Sequence, residues 1–233
     1  RKNYIIRKSQ NLSKQAHIIA ANIDQAFLIA TISLPVTTPT FIDRYLASAE
    51  AYRIPVVLIF NKIDLYNNDH LAIFQQYTDL YRKIGYTCIH TSVPQNLGLE
   101  ELAGMMKGKI SVLNGHSGVG KSTLINALQP GLKIKTCEIS DYHEKGKHTT
   151  TYSELFELDF GGYIIDTPGI KAYGMLEMEP WEISHYFREI FALSEKCQYN
   201  NCSHTHEPGC AVKEAVEKGE IAESRFISYL GLL

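Results

Sequence analysis

The chain has 233 residues, 45% of them hydrophobic, which is enough to bury a full core and predicts one α/β domain with a smaller appendage. Its formal net charge of −2 gives no global electrostatic case for a nucleic-acid coat or a membrane surface, although a locally basic face is compatible with it. No stretch approaches about 18 consecutive apolar residues, so no transmembrane helix is expected.

Hydrophobic patterning predicts strands that alternate with helices along most of the chain. The run 56–60 is continuously apolar and bounded by turn residues, which is typical of a strand buried on both faces of a parallel sheet. The predicted strands are 18–21, 27–32, 56–60, 86–90, 110–113, 155–158 and 163–165. The predicted helices are 41–52, 71–84, 99–106, 121–128, 180–193, 210–218 and 221–232. The alternation predicts an α/β fold with a mostly parallel, doubly wound sheet, and the last three helices predict a separate small C-terminal unit.

A glycine-rich loop between strand 110–113 and helix 121–128 predicts a phosphate-binding site. Residues 115–122 read GHSGVGKS and match G-x-x-x-x-G-K-[ST] in the strand–loop–helix context that this pattern requires. Glycines allow backbone N–H groups to converge on phosphate oxygens, and the helix N-terminus adds a favourable dipole. Lys121 is expected to reach the β- and γ-phosphates and to act in catalysis, and Ser122 is expected to bind Mg²⁺. The predicted nucleotide-binding residues of this loop are Gly115, Ser117, Gly118, Val119, Gly120, Lys121, Ser122 and Thr123.

A second motif predicts which base the nucleotide carries. Residues 61–64 read NKID and follow the apolar strand 56–60, where a loop at the sheet edge would present them to a ligand. Asp64 can accept hydrogen bonds from the ring N–H and the exocyclic amine of guanine, whereas adenine has no such pair of donors. Thr91 and Ser92 follow the next strand, where backbone N–H groups would reach the guanine oxygen. The predicted base-reading residues are Asn61, Lys62, Asp64, Thr91 and Ser92.

A third motif, DTPG at residues 166–169, follows the predicted strand 163–165. Asp166 is placed to hold Mg²⁺ through water, and the Gly169 N–H is placed to contact the γ-phosphate. This motif predicts the group that senses the terminal phosphate.

The residues expected to carry hydrolysis flank the DTPG motif. The threonines 149–151 lie where a switch threonine that closes on Mg²⁺ belongs; we assign that role to Thr150 and a nucleotide contact to Thr149, and the triplet leaves the choice open. Ile170 stands where Ras-like enzymes place the glutamine that orients water, so intrinsic hydrolysis is expected to be slow unless another group or a partner supplies that function. His148 is the candidate within the chain, and a solvated loop histidine is the equal alternative.

The order of the motifs differs from that of Ras-like GTPases, in which the P-loop comes first and N-K-x-D follows. A permuted chain can keep the same pocket if its new termini fall in exposed loops. The permutation leads the DTPG segment directly into the C-terminal unit, and we hypothesise that the nucleotide state is transmitted there.

Cysteines and histidines cluster in the C-terminal unit with the spacing C-x4-C-x-H-x5-C. Three thiolates and one imidazole form a closed tetrahedral Zn²⁺ site of the structural kind, from Cys197, Cys202, His204 and Cys210. His206 is an alternative fourth ligand. Because the chain has no secretory signal, the mixture of cysteine and histidine favours a metal over disulfides.

The motifs together closely resemble the circularly permuted GTPases of the RsgA/YjeQ family, the ribosome small subunit-dependent GTPases. The matching stretches are 20–25, 61–64, 115–122, 124–128, 148–151, 166–170 and 197–210. The resemblance implies a circularly permuted Ras-like P-loop GTPase domain with a small helical zinc-binding domain. It also implies a factor that binds the bacterial 30S subunit and its 16S rRNA, hydrolyses GTP to GDP when that subunit stimulates it, and acts late in subunit maturation.

The resemblance also predicts the domain organisation. Residues 1–13 are expected to be a remnant of an N-terminal OB-fold or a linker, 14–174 the permuted GTPase domain and 175–233 the zinc-binding domain. The family's OB-fold is represented by at most its last strand, 1–8. His116 stands where the family more often has glutamine, and little effect is expected from it.

Two alternatives to a ribosome-coupled GTP hydrolase remain. One is a GTP-dependent RNA- or ribosome-binding module whose hydrolysis is incidental. The other is a P-loop kinase, against which N-K-x-D argues. A cytoplasmic location is expected, since the N-terminus lacks the charged-then-apolar layout of a signal peptide. A monomer is also expected.

Overall fold

The computed structural model describes residues 2–8, 16–132, 154–166 and 178–233. The strands are β1 Tyr4–Lys8, β2 Ala16–Ala21, β3 Gln25–Ala30, β4 Val56–Asn61, β5 Thr87–Thr91, β6 Ile110–Asn114, β7 Glu154–Glu157 and β8 Tyr163–Asp166. The helices are α1 Pro39–Ala51, α2 Asn68–Ile84, α3 Leu99–Met106, α4 Lys121–Leu128, α5 Arg188–Ser194, α6 Ala211–Glu217 and α7 Glu223–Leu230. Short 3-10 helices span Ile63–Leu65 and Pro180–Tyr186.

The central sheet has the strand order β5–β4–β3–β6–β8–β7. Its strands pair in parallel except for β7, which runs antiparallel to β8. Asn61 at the end of β4 pairs with Thr91 at the end of β5, and Asn114 ends β6 two strands away. Because the carboxyl ends of parallel strands meet at one edge, the loops after β4, β5 and β6 are brought together there.

Helices cover both faces of the sheet, as the continuous apolar strands predict. Along β3, Phe27 and Ile29 pack with Leu102 of α3, while Leu28 packs with Leu46 of α1 in a second cluster on the opposite face. This alternation follows from the two-residue period of a strand, and it gives the doubly wound architecture that the sequence predicts.

The C-terminal unit has a hydrophobic cluster of its own, which also includes Ala47 of α1. Its buried members are Ile183, Phe187, Ile190, Cys210, Val212, Ala215, Ile221 and Tyr229. The unit therefore rests directly on a helix of the α/β half of the chain. Among the described residues, no helix is both long enough and apolar enough to cross a membrane.

Most of the predicted elements differ from the observed ones only at their ends, as in the helix predicted over 71–84, which begins at Asn68. Three differences affect how the chain packs. The single helix predicted over 180–193 is a 3-10 helix followed by α5, separated at Phe187, whose extended backbone (φ −108°, ψ 98°) accompanies a fully buried ring. The strand predicted over 27–32 ends at Ala30, because Thr31 exchanges hydrogen bonds with Thr37 across a tight loop. The predicted strand 18–21 is part of β2, which pairs with β1 in a separate two-stranded sheet.

Candidate functional site: a nucleotide pocket and a metal centre

The P-loop connects β6 to α4 in a conformation that glycine makes possible. Gly115 (φ 149°) and Gly120 (φ 97°) adopt backbone angles that L side chains rarely take. A Cβ at Gly115 would collide with the Ile29 carbonyl, and one at Gly120 would collide with Asn61 Nδ2. The loop is therefore packed against the ends of β3 and β4, which holds its amide groups at the sheet edge.

Lys121 folds back onto its own loop. Its Nζ donates to the Gly115 carbonyl at 2.6 Å and to the His116 carbonyl at 2.7 Å. The side chain is half-buried, and desolvation lowers its pKa from the usual lysine value. Ser122 is half-buried in the first turn of α4, whereas Ser117, Gly118 and Thr123 are exposed.

The N-K-x-D segment contacts the P-loop directly, although the two lie far apart in sequence. Asn61 Nδ2 donates to the Val119 carbonyl at 2.8 Å, and Lys62 Nζ donates to the Gly118 carbonyl at 2.7 Å. The Asn61 side chain is buried, so both ends of its amide are held by protein groups. The structure thus brings the two strongest predicted motifs into one site.

Asp64 lies in the 3-10 turn that follows Lys62, and one oxygen of its carboxylate lacks a hydrogen-bond donor among the described residues. Its Oδ1 atom is buried and has no hydrogen-bond partner among the described residues. A buried acceptor without a partner is costly in a folded protein. The ring N–H and exocyclic amine of guanine are donors of the kind that this carboxylate lacks, so the residues present fit a guanine base.

Thr91 and Ser92 have roles that the sequence did not reveal. The Thr91 hydroxyl donates to Asn61 Oδ1 at 2.8 Å and so orients that amide. The Ser92 N–H donates to the Leu97 carbonyl, and the Leu97 N–H donates back to Ser92. Both residues are fully buried. A guanine contact from this loop stays a prediction.

Residues 31–38, between β3 and α1, contact the N-K-x-D segment in a way that sequence reasoning missed. Lys62 Nζ donates to the Leu34 carbonyl at 2.7 Å, in addition to its bond to the P-loop. The Tyr66 hydroxyl accepts from the Ile32 N–H at 2.9 Å. The only signal in the sequence was Pro35, with Pro39 just beyond the segment, and these prolines indicate a break in the chain rather than a contact.

Several predicted catalytic residues are not placed by the structure. His148, Thr149, Thr150, Gly169 and Ile170 lie outside the described residues. The backbone of Asp166 ends β8, next to β6 and therefore at the P-loop edge of the sheet. The roles of Asp166 and of the five residues outside the described ranges stay predictions.

A second site lies in the C-terminal unit, where the ligand atoms of Cys197, Cys202, His204 and Cys210 are all within 4.8 Å of one another. His204 Nδ1 is 3.6 Å from Cys197 Sγ and 3.5 Å from Cys210 Sγ, and these two sulfurs are 4.0 Å apart. Tetrahedral Zn²⁺ requires about 3.8 Å between sulfurs and about 3.6 Å between sulfur and nitrogen, given Zn–S near 2.3 Å. The four side chains fit such an ion.

Surrounding residues fix the histidine of this centre. Ser194 Oγ donates to the Ile190 carbonyl and lies 3.2 Å from His204 Nε2, so Nε2 is the protonated nitrogen and Nδ1 faces the sulfurs. The alternative ligand His206 is exposed and contacts Thr205 instead.

The loop that carries His204 is also organised by Glu207. This carboxylate accepts hydrogen bonds from the Ser203 hydroxyl and from the N–H groups of Ser203, Thr205 and His206. Although desolvation opposes the charge, these bonds lower the pKa of Glu207 to about 2. An ionised Glu207 therefore organises the loop that carries His204 of the candidate metal site.

The fold and the first site define a class of protein. A P-loop on β6 and an N-K-x-D loop on β4 meet at one sheet edge, with N-K-x-D first in the chain. This is a circularly permuted P-loop GTPase.

Comparison with known proteins narrows the class to a family. The family model described as RsgA GTPase matches residues 1–176. The small ribosomal subunit biogenesis GTPase RsgA 2 of Bacteroides thetaiotaomicron is 59% identical over 233 residues, which cover 100% of this chain and 75% of that protein. The small ribosomal subunit biogenesis GTPase RsgA of Porphyromonas gingivalis strain W83 is 55% identical, again over 100% of this chain and 75% of that protein.

Two solved structures have folds similar to that of this chain. The crystal structure of YjeQ from Thermotoga maritima matches with a TM-score of 0.80 and 39% identity, over 99% of this chain and 74% of that one. YloQ, a circularly permuted GTPase, matches with a TM-score of 0.75 and 29% identity, over 98% and 77% of the two chains. The chain belongs to the RsgA GTPase family and is a GTP hydrolase.

Proposed function

We propose that this chain binds the small ribosomal subunit and couples GTP hydrolysis to its late maturation and to its own release. The observation that carries the GTPase part is the contact of Asn61 and Lys62 with the P-loop, next to a buried Asp64 oxygen that has no partner among the described residues. The ribosomal part is supported by the relatives, which are named small ribosomal subunit biogenesis GTPases.

In this proposal, the nucleotide is held at both ends by the chain. Asp64 accepts from the guanine N–H groups, and the loop after β5, with Thr91 and Ser92, lies against the base. The P-loop amides and the Lys121 ammonium bind the phosphate oxygens. Support comes from the half-buried position of Lys121, because desolvation strengthens its attraction to an anion.

Hydrolysis in this proposal depends on the switch residues. Ser122 and Thr150 bind Mg²⁺ directly, Asp166 binds it through water, and Gly169 contacts the γ-phosphate. The ion, when bound, neutralises charge on the β- and γ-phosphate oxygens. Ile170 cannot orient the attacking water, so the chain turns over slowly by itself and His148, or a group on the subunit, completes the site.

The metal centre is proposed to hold one structural Zn²⁺ through Cys197, Cys202, His204 and Cys210. Four protein ligands leave no open position for a substrate, so this centre stabilises the C-terminal unit rather than performing chemistry. We further propose that the chain is a cytoplasmic monomer and that its ribosomal contacts include the 16S rRNA.

A turnover experiment distinguishes this proposal from the alternative of a binding module whose hydrolysis is incidental. Ile170 favours that alternative, because it cannot orient the attacking water. GTP turnover is measured while 30S subunits are titrated into the chain, with Lys121→Ala as the inactive control. We expect stimulation that saturates with 30S and is absent in the control. Turnover that 30S leaves unchanged, although binding is measured, would favour the module. Equal stimulation of His148→Ala and the wild type would assign the missing function to the subunit.

A further inference from the structure

Tyr66 is a buried residue that the nucleotide-binding motifs do not include. It lies two residues after the N-K-x-D segment and caps the 3-10 turn there, and its side chain is 9% exposed. The hydroxyl donates to the Asn61 carbonyl at 2.9 Å and accepts from the Ile32 N–H at 2.9 Å. Both partners are buried backbone groups: Asn61 ends β4, and Ile32 lies two residues after the end of β3. This single hydroxyl therefore joins the end of β4 to the segment that follows β3.

The hydroxyl also closes the turn that presents Asp64. The turn is held by Leu65 N–H donating to the Lys62 carbonyl and Tyr66 N–H donating to the Ile63 carbonyl. The bond from the Tyr66 hydroxyl to the Asn61 carbonyl then returns the chain to the residue where the turn begins. Asp64 lies in the middle of this closed segment, and its Oδ1 accepts no hydrogen bond from any residue that the structure describes. Its orientation is therefore set by the backbone of the turn.

The Tyr66 ring is fixed from the side of α2. Its centroid lies 6.1 Å from that of His70 and 6.3 Å from that of Phe74, both on that helix. Burial raises the pKa of Tyr66 to about 12, and the nearby Asp64 charge acts in the same direction. The hydroxyl thus stays protonated, and able to donate to Asn61, throughout the neutral range.

We propose that Tyr66 is a positioning residue for guanine recognition, which orients the Asp64 carboxylate by closing the turn between Asn61 and itself. This inference rests on the proposed guanine-reading role of Asp64. Two well-aligned hydrogen bonds to a base demand a fixed carboxylate, whereas one bond tolerates a tilted one. Tyr66 therefore contributes more to the binding of guanine than to that of a base with one donor fewer.

Tyr66→Phe removes only the hydroxyl of the side chain. Inosine diphosphate differs from GDP only in lacking the exocyclic amine of guanine. We would measure the dissociation constants of GDP and inosine diphosphate for the wild type and for Tyr66→Phe by titration calorimetry. Tyr86→Phe is the matched control, because Tyr86 is also buried and its hydroxyl donates to Glu50 near the end of α1, at 3.2 Å.

We expect the wild type to prefer GDP, Tyr66→Phe to reduce that preference about fivefold, and Tyr86→Phe to leave it unchanged. In GTP hydrolysis, Tyr66→Phe should raise KM and leave kcat at saturation unchanged, because within the described residues the Tyr66 hydroxyl bonds to Ile32 and Asn61 rather than to the P-loop.

The outcomes separate the two proposals. A wild type that binds both nucleotides equally would overturn the role of Asp64, and that of Tyr66 with it. A wild type that prefers GDP, with the same preference in Tyr66→Phe, would overturn the role of Tyr66 alone; this includes the case in which both affinities fall by the same factor.

Discussion

Arg225 on α7 donates from Nη1 to Asp43 Oδ1 on α1 at 2.8 Å, and both side chains are almost completely buried. Glu189 accepts from the remaining guanidinium nitrogens, and the Tyr81 hydroxyl donates to Asp43 as well. In the first turn of α1, Phe41 packs against His116 of the P-loop, with ring centroids 3.8 Å apart and the rings tilted by 31°. The C-terminal unit and the nucleotide site therefore share one helix.

Replacing Arg225 should destabilise the protein strongly. Arg225→Met leaves the Asp43 and Glu189 charges without their partner in a buried position, and we expect the free energy of unfolding to fall by about 3–5 kcal/mol. Urea unfolding followed by circular dichroism measures this. Asp43→Asn should cost less in the Arg225→Met background than in the wild type, since the unpaired charge is then gone.

An exposed ion pair provides the control for that measurement. Glu214 and Lys218 on the C-terminal unit lie 3.8 Å apart, with side chains 59% and 64% exposed. Glu214→Gln should change the free energy of unfolding by no more than about 0.5 kcal/mol. A loss in Arg225→Met as small as this would show that the buried pair does not hold the two units together.

Asp64→Asn should exchange the nucleotide preference of the site. The carboxamide keeps one acceptor and gains a donor, so it can no longer match both guanine N–H groups but can donate to the C2 oxygen of xanthine. Losing a charge-assisted bond costs about 3 kcal/mol, so GDP affinity should fall by about a hundredfold while xanthosine diphosphate gains affinity. Calorimetry with both nucleotides measures the exchange. Equal losses for both would indicate that Asp64 supports the turn and does not read the base.

Gly120→Ala should separate the P-loop from the N-K-x-D segment. The added Cβ would meet Asn61 Nδ2, at a backbone angle (φ 97°) that costs a non-glycine residue about 1–3 kcal/mol. We expect GDP affinity to fall at least about tenfold. Gly104→Ala is the control, because Gly104 lies within α3 with nothing near its Cβ position, and helix propensity predicts a gain of about 0.5–1 kcal/mol. Similar GDP affinity in both variants would contradict the contact.

Cys210→Ser should remove the metal and unfold the C-terminal unit. Cys210 is both a predicted ligand and a member of that unit's hydrophobic cluster. Structural zinc contributes an apparent binding free energy on the order of 10 kcal/mol, so its loss should abolish the cooperative unfolding of this unit. Elemental analysis should find one zinc per wild-type chain and almost none in the variant. Cys88→Ser changes a buried thiol outside the candidate metal site and should retain the metal. If Cys210→Ser leaves the zinc content unchanged, the assignment of Cys210 as a ligand is refuted.

Much of the fold could be predicted because its signals are local. The run 56–60 and the P-loop pattern each have a period or a spacing that a few neighbouring residues determine. The helix predicted over 180–193 failed where tertiary packing intervened, since Phe187 buries its ring in the C-terminal cluster by leaving helical geometry. The spacing of the neighbouring residues gives no sign that Phe187 leaves helical geometry.

The same distinction holds at the site. The sequence by itself determined the chemistry: a P-loop for phosphate, Asp64 for guanine, and three cysteines with a histidine for a metal. Only the tertiary structure decided that His204 rather than His206 faces the sulfurs, that Thr91 orients Asn61, and that Tyr66 closes the turn carrying Asp64. The motifs depend on residue type at short spacing, whereas these contacts join segments that meet only when the parallel sheet brings its strand ends to one edge and α7 packs on α1.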